Sequence, residues 1–570
     1  RMVKLGMDFG WTYTTLSVYR EDTVTLEALN QGLGVPYLPS VAARGKGETL
    51  FGTAAKNKTG KKGYTIYKAF KMLLPESDPE KLAERGYDPE NTPEQITRIF
   101  IENVLRQVLE DLHETRIDHL VVGVPEIWNE GIRTLDGRTL IRDICRSLDF
   151  VSPEGVKVVS EPAAASAYFA RNFYLSTKRN FEGNILLVDY GGGTLDITLT
   201  QVLSCGKEGE PHSMELKVLD RTGAGENEEG RIGKAGIVYM ETVTARAVQR
   251  SGLTDGEEPV CGSIFYRAVD ELELELQSNT KKIQNIFEEY GLDYPEELNQ
   301  EEFTTIAYGQ DEVQITYGLL LEIYNEVIRD TFDEKLNEIL AFMDRSGISY
   351  RDGSRDDFKI ALVGGFGNFY LVKRQIADKF KLGNNDRRQE NILLDRAGCE
   401  RAISLGAALL AGDVIGIRNT ASFSIGVWAY DMNKKLCLNY AIRYKQEIEF
   451  DTIYYARGSE DGEIFVIQTI SGGFDKFLVN FSLDDRTACF ALLKEEFAGK
   501  LAHVVTNQYH MAVVGFSLDS SGVVSLHIRD YDLMEGTIGQ EDHVVELTKF
   551  NQLFEVTSMG QPLHKGRWEA

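Results

Sequence analysis

Apolar positions recur along this chain in two periods. Residues 186–199, LLVDYGGGTLDITL, open on an unbroken apolar run, meet Asp189, pass three glycines and a threonine, and then alternate Leu195, Ile197 and Leu199 with polar neighbours. That order predicts a buried strand, a tight turn and a second strand with one buried face. Near the start LGMDFGWTYTTLSV reads alike, with Asp8 and Gly10 in the matching places and Leu16 and Val18 alternating. The pair is a weak internal repeat and predicts two related lobes.

The flanking elements repeat as well. Thr92-Pro93-Glu94-Gln95 supplies a capping residue, a first-turn proline and a box partner, and Ile96, Phe100, Val104 and Val108 then share one helical face. A buried-looking strand, DHLVVGVP, follows. In the second half the helical stretch TYGLLLEIYNEVIRDTFDEKLNEILAFM precedes FKIALVGGFGN, an apolar strand ending at glycines. Each half is therefore expected to be a hairpin, a helix and a strand, all opening on one cleft.

Composition changes this picture only at its edges. At 570 residues the chain exceeds the roughly 250–300 at which single cores stop growing, so two or more domains are expected. Its 62 Lys and Arg against 88 Asp and Glu leave a net charge of -26, which opposes binding to nucleic acid or to an anionic membrane. Six cysteines without a CxxC pair argue against a disulfide framework, and no apolar run is long enough to span a membrane. A cytoplasmic protein with neither nucleic acid nor membrane as partner is expected.

The cleft defines the chemistry. Backbone amides in a glycine-rich turn approach phosphate oxygens with no Cβ in the way and present partial positive charge. Two facing carboxylates, Asp8 and Asp189, would repel a bare polyphosphate, so they call for a hydrated Mg²⁺ between them. A single such cluster is as readily an ordinary hairpin turn; two matched clusters are not.

With these residues in view, the chain resembles the actin-like ATPases, and among them the DnaK-type heat-shock chaperones of the seventy-kilodalton class. The segments that carry the resemblance are MDFGWTYTTLSV, VVGVPEIWNEGIR, SEPAAASAYFA, VDYGGGTLDIT, ALVGGFGNFYLVKRQIA and ERAISLGAALLAG, in that order. Beyond them ASFSIGVWAYD and YHMAVVGFSLDSSGVVSLHIRDY resemble the family's substrate domain, with an Asp519-to-Gly522 turn joining two alternating strands. The resemblance implies an α/β actin-like ATPase, two-lobed with the ribonuclease H-like duplication, over 2–412, with lobe I about 2–180 and lobe II about 181–395. A linker over 413–420 and an all-β sandwich over 421–570 would follow, without the family's helical lid, for which the tail after the hairpin is too short.

The same resemblance assigns roles. Asp8, Asp189 and, through water, Glu161 would hold Mg²⁺; Gly10, Trp11, Thr12 and Tyr13 would form the first phosphate loop and Gly191, Gly192, Gly193 and Thr194 the second. Lys71 would face the terminal phosphate, with Glu161, Asp189, Thr194 and Asp196 completing the catalytic set and Asp196 positioning or deprotonating the attacking water. Gly364, Gly365, Phe366 and Asn368 would receive the adenosine, Phe366 either stacking on adenine or packing into the core. Lys281, Lys282 and Asn285 are the candidate adenine clamp, and Pro125 and Arg133 the relay toward the linker. The cofactors implied are ATP or ADP with Mg²⁺, and the partners a peptide or protein client and a co-chaperone.

Two departures matter. Trp11 stands where the family has a threonine, which puts turnover in question more than binding. The linker GDVIGIRNTAS has only Val414, Ile415 and Ile417 and inserts Gly416 and Arg418, so its docking should bury less apolar surface than the family's leucine-rich strand. Two function classes follow: an ATP-regulated, weakly hydrolysing chaperone-like protein, or a nucleotide-gated scaffold with little turnover and one dedicated partner. A small-molecule kinase or a filament protein is a third and weaker reading.

Overall fold

The computed structural model describes residues 2–20, 25–29, 38–76, 78–125, 132–224, 236–254, 262–350, 357–382, 401–421, 424–430, 436–458, 462–469, 478–483, 487–493, 495, 501, 503–547 and 554–561. It is a mixed α/β structure. In the first sheet the strand Lys4–Phe9 is central, antiparallel to Tyr13–Arg20 and parallel to His119–Val124, which in turn runs parallel to Val156–Ser160. The second sheet repeats this plan: Gly183–Tyr190 is antiparallel to Leu195–Ser204 and parallel to Phe358–Val363. Met214–Ala224 extends it on the far side of the hairpin.

The central strands are apolar on both faces because helices cover both. Pro93–Leu112 begins as its sequence predicts: the Thr92 hydroxyl accepts from the Gln95 N–H and the Gln95 side chain accepts from the Thr92 N–H. Its buried stripe of Ile96, Phe100, Val104 and Val108 packs with Leu5, Met7, Phe9 and Val122 in one core. The second half has its own core, joining Leu186 and Val188 to Tyr239, Leu320, Phe332 and Ile360. The long helical stretch there is interrupted: α-helix over Tyr317–Tyr324, one π turn over Asn325–Arg329, then α-helix over Asp330–Arg345.

Between the two sheets lie two helices that meet through small residues, Glu161–Thr177 and Ala402–Ala411. Their Ala164, Ala165, Ala402 and Ala407 share a core with Val121 of the first sheet and Ile185, Leu187 and Ala361 of the second. The two helices touch so closely that a Cβ on Gly406 would lie 1.6 Å from the Ala164 carbonyl oxygen.

C-terminal to these, two antiparallel sheets enclose a further core. One orders Leu436–Ile442, Ser424–Tyr430, Leu478–Leu483, Thr487–Leu493 and Phe554–Gln561; the other is built on the hairpin Met511–Leu518 and Val524–Asp532. Ile425, Val427 and Ile442 of the first meet Val514, Phe516, Leu526 and Ile528 of the second. Among the described residues no helix is long and apolar enough to cross a membrane.

Candidate functional site

The two glycine loops have one geometry. After the strand that carries Asp8, the Gly10 N–H donates to the Tyr13 carbonyl at 3.0 Å; after the strand that carries Asp189, the Gly191 N–H donates to the Thr194 carbonyl at 3.0 Å. In both loops the carbonyls are tied back from the cleft. Ser40 donates from its hydroxyl to Gly10 O and from its N–H to Thr12 O, both at 2.8 Å. In the second loop the first amides of the helix Gly236–Arg250 do this work, Gly236 N–H on Gly191 O at 3.2 Å and Ile237 N–H on Gly192 O at 2.8 Å. Gly236 and Ile237 carry no chemical signature in the sequence, since they act through their backbone amides, and Ser40, which adds its hydroxyl, lies 30 residues from the loop it holds.

The loops line a cavity of about 200 Å³ together with Asp8, Thr15, Lys71, Met72, Pro125, Glu161 and Asp189. Gly364 reaches it through a left-handed backbone, φ +82°, where a Cβ would lie 2.5 Å from Asp189 Oδ1. Glu161 is the first residue of its helix, whose N-cap Ser160 accepts from the Ala163 N–H, so its carboxylate sits at the positive end of the helix dipole. Lys71 forms a buried ion pair with it, and the Lys71 ammonium also lies 5.8 Å from the centre of the Phe9 ring.

Burial dominates the electrostatics. It pushes the Asp8 carboxyl up from 3.8 to about 7, with the Glu161 charge adding to the shift and Lys71 opposing it. Asp189 is likewise raised, first by burial and then by the charges of Glu161, Asp196 and Asp8. Carboxylates so placed want a cation. Among the described residues no three His, Cys, Asp or Glu side chains converge to hold an ion directly. The donor set fits an ion that keeps its water shell and meets the carboxylates through it. Asp196 is buried opposite Asp189 in the strand ladder and is not among the residues that line the cavity.

A second, more apolar cavity of about 80 Å³ adjoins the first. Met240, Leu276, Ile283, Phe366, Phe369 and Tyr370 form its walls, and Glu273, Gln277, Thr280 and Asn368 its polar rim. Phe366 is buried with its ring against Tyr190, Tyr239 and Phe369, at centroid distances of 5.1–5.4 Å, so core packing takes most of its surface. Lys281, Lys282 and Asn285 are exposed and line neither cavity. The residues that reach the cleft from the helices Ser263–Ser278 and Thr280–Tyr290 are Glu273, Leu276, Gln277, Thr280 and Ile283 instead.

Contacts across the cleft draw the halves together. The Tyr13 hydroxyl donates to Glu273 at 3.2 Å and accepts from the Gln277 amide at 3.1 Å. Lys56 pairs with Glu273 at 3.4 Å and Lys68 with Asp270 at 3.1 Å. Trp11 lies on the opposite loop: a Cβ on Gly193 would fall 1.8 Å from the indole Cε3.

The C-terminal sheets dock on both halves. The Ser521 hydroxyl accepts from the Val158 N–H at 3.1 Å, and Arg138 donates to the Ser521 carbonyl at 2.7 Å. Arg142, on the helix Ile132–Arg146, pairs with Asp519 at 2.7 Å, with Glu546 and with Asp143 at 2.9 Å. Burial alone would lower its pKa; the hydrogen bonds and negative charges around it outweigh that and raise it. On the second half Lys217 pairs with Glu447 at 2.7 Å and Lys445 with Asp220 at 3.2 Å.

The linker is docked as well. Gly416–Ile417 runs parallel to Glu215–Leu216 as an added strand, Ile415 is buried, and Arg418 pairs with Glu215 at 2.7 Å. The weak docking expected from its few apolar residues overlooks this backbone pairing and the ion pair. Pro125 lines the cavity between the two glycine loops. Arg133 falls in the first turn of its helix, and its side chain lies outside the described residues.

No family model matches the chain. Part of it is similar to a heat shock 70 kDa protein of Ajellomyces capsulatus, 27% identical over 221 residues. The match takes in 35% of this chain and spans 29% of that relative's length.

Proposed function

We propose that the chain is a Mg²⁺-dependent adenine-nucleotide-binding protein of the actin-like, two-lobed kind, whose cleft reports its occupancy to a C-terminal β-sandwich in the manner of a heat-shock chaperone. The observation that carries this reading is the duplicated loop: two strands ending in Asp8 and Asp189, each followed by the same amide-to-carbonyl turn, facing each other across one cavity. In it Gly10, Thr12, Gly191, Gly192 and Thr194 hold phosphate, Asp8, Asp189 and Glu161 orient the waters of Mg²⁺, and Gly364, Gly365 and Asn368 bound the sugar and base. The metal, when bound, supplies charge neutralisation between the phosphates and the carboxylates.

Domain roles follow from the contacts. An ATPase-like part over 2–412 would signal through the linker 413–420 to a client-binding part over 421–570. The linker strand and the Ser521 turn touch opposite halves of the cleft protein. Any change in the angle between the halves therefore alters docking, and docking alters how the β part presents itself to a peptide or protein.

One observation favours the scaffold version of this function. Trp11 covers Gly193 beside the buried Lys71–Glu161 pair, an arrangement suited to holding a nucleotide more than to turning it over. Titration calorimetry of the full chain with ADP and ATP, with and without Mg²⁺, and peptide-binding anisotropy in each state test the proposal. Absence of any nucleotide binding would overturn it. Peptide affinity that ignores nucleotide would leave a nucleotide binder without regulation.

A further inference from the structure

The two adjoining cavities have an order. Thr12, Tyr13, Gly192, Gly365 and Asn368 line both, whereas Trp11, Gly193, Lys71 and Glu161 line only the polar one. A nucleotide with its base between the apolar walls lays its phosphates along the loops from the Thr12–Gly192 level toward the Trp11–Gly193 level. The deeper level is the place of the last phosphate.

That place is taken by the indole. A methyl at Gly193 would lie 1.8 Å from Cε3 and 2.2 Å from Cζ3, and one at Gly192 would lie 3.3 Å from Cδ1, so the ring spreads over two consecutive glycines. Glycine there serves the ring: no other residue leaves room for an indole pressed onto the backbone. The backbone that would otherwise meet phosphate oxygens is covered. Lys71, the one lysine or arginine among the described residues that line this cavity, is already paired with Glu161, and Asp8 and Asp189, which line it too, are acidic. A third phosphate would have to displace a packed aromatic ring and break a buried ion pair, while a second phosphate has to do neither.

We propose that Trp11 makes this cleft a nucleoside-diphosphate site, the indole standing where a terminal phosphate would lie. This rests on the nucleotide reading given above and narrows it: the ligand that sets the state of the cleft is the diphosphate with its metal, and occupancy replaces hydrolysis as the switch.

The test is calorimetry on the full chain with Mg²⁺, using ADP and the non-hydrolysable β,γ-imido analogue of ATP as probes. ADP is expected to bind at least tenfold more tightly, and Trp11→Gly to reduce that preference below about threefold. Trp11→Phe, which keeps a smaller ring and guards against misfolding of the glycine variant, should give an intermediate ratio. Equal affinities in the unaltered chain would overturn the diphosphate assignment and leave the nucleotide site standing. An unchanged preference in both folded variants would also overturn it, because the indole would then not be the barrier. Failure of both probes to bind the unaltered chain and the variants would overturn the nucleotide reading itself.

Discussion

Arg142 is the side chain on which domain docking should depend most. It is 2% exposed, and its guanidinium reaches two carboxylates of the β part, Asp519 at 2.7 Å and Glu546, which are 22% and 43% exposed. Removing one partner of a fully buried ion pair costs about 3–5 kcal/mol. Here the carboxylates left behind regain water more readily than buried ones, so about 2–3 kcal/mol is the better figure for Arg142→Ala. At about 1.4 kcal/mol per decade, the undocked population should rise roughly 30- to 150-fold. Amide hydrogen exchange reads this directly, because the Val158 N–H bonds to Ser521 and the Arg418 N–H to the Leu216 carbonyl at 2.7 Å only in the docked form. Both amides should exchange faster by that factor while those of Leu186 and Val188 stay protected. Arg142→Lys, which keeps one charge but cannot fork between two carboxylates, should fall between. Unchanged exchange at Val158 and Arg418, or an equal rise across the core, would refute the argument.

Other perturbations address the cleft. Lys71→Ala leaves Glu161 buried beside two further carboxylates and should destabilise the metal-free protein by about 3–5 kcal/mol in urea unfolding, with much of the loss restored by Mg²⁺. Asp8→Asn or Asp189→Asn should weaken the Mg²⁺ dependence of nucleotide binding in calorimetry; unchanged dependence in both would remove the metal from the model. The raised Asp8 pKa gives a pH signature. The folded state holds that proton up to about pH 7 and the unfolded state only to about 3.8, so the contribution is complete below pH 4 and is lost as pH rises to about 7. Thermal melts without metal should therefore fall across that window, by at most about 1.4 kcal/mol per pH unit, and added Mg²⁺ should flatten the slope.

How much of this was legible depended on whether a residue acts through its type or through its surroundings. The loops at Asp8 and Asp189 announce themselves because glycines and carboxylates at the end of an apolar run have few other uses, and Thr92 with Gln95 fixes a helix start by local chemistry alone. Lys281, Lys282 and Asn285 do share the helix Thr280–Tyr290, but its buried residues are Ile283 and Phe287 and the three polar side chains are exposed; residue type and spacing mark a face without saying which way it turns. Lys71 pairs with Glu161, 90 residues away, and no local pattern encodes that pairing. The apolar residues of 413–420 understate how it docks, because the strand pairing at Gly416–Ile417 is made by backbone that every sequence shares.

The seam between the helices Glu161–Thr177 and Ala402–Ala411 bears on how fast the two halves can turn against one another. Alanine and glycine have no rotamers to reset, so sliding along such a seam meets little of the friction that interlocked leucines or isoleucines would impose. At its tightest point the joint has no slack in compression, because the Gly406 backbone already touches the Ala164 carbonyl, and no side chain there has to change rotamer for the helices to shift along one another. A single methyl at position 406 would wedge that joint open, altering the pace of the whole molecule from a point that no ligand touches.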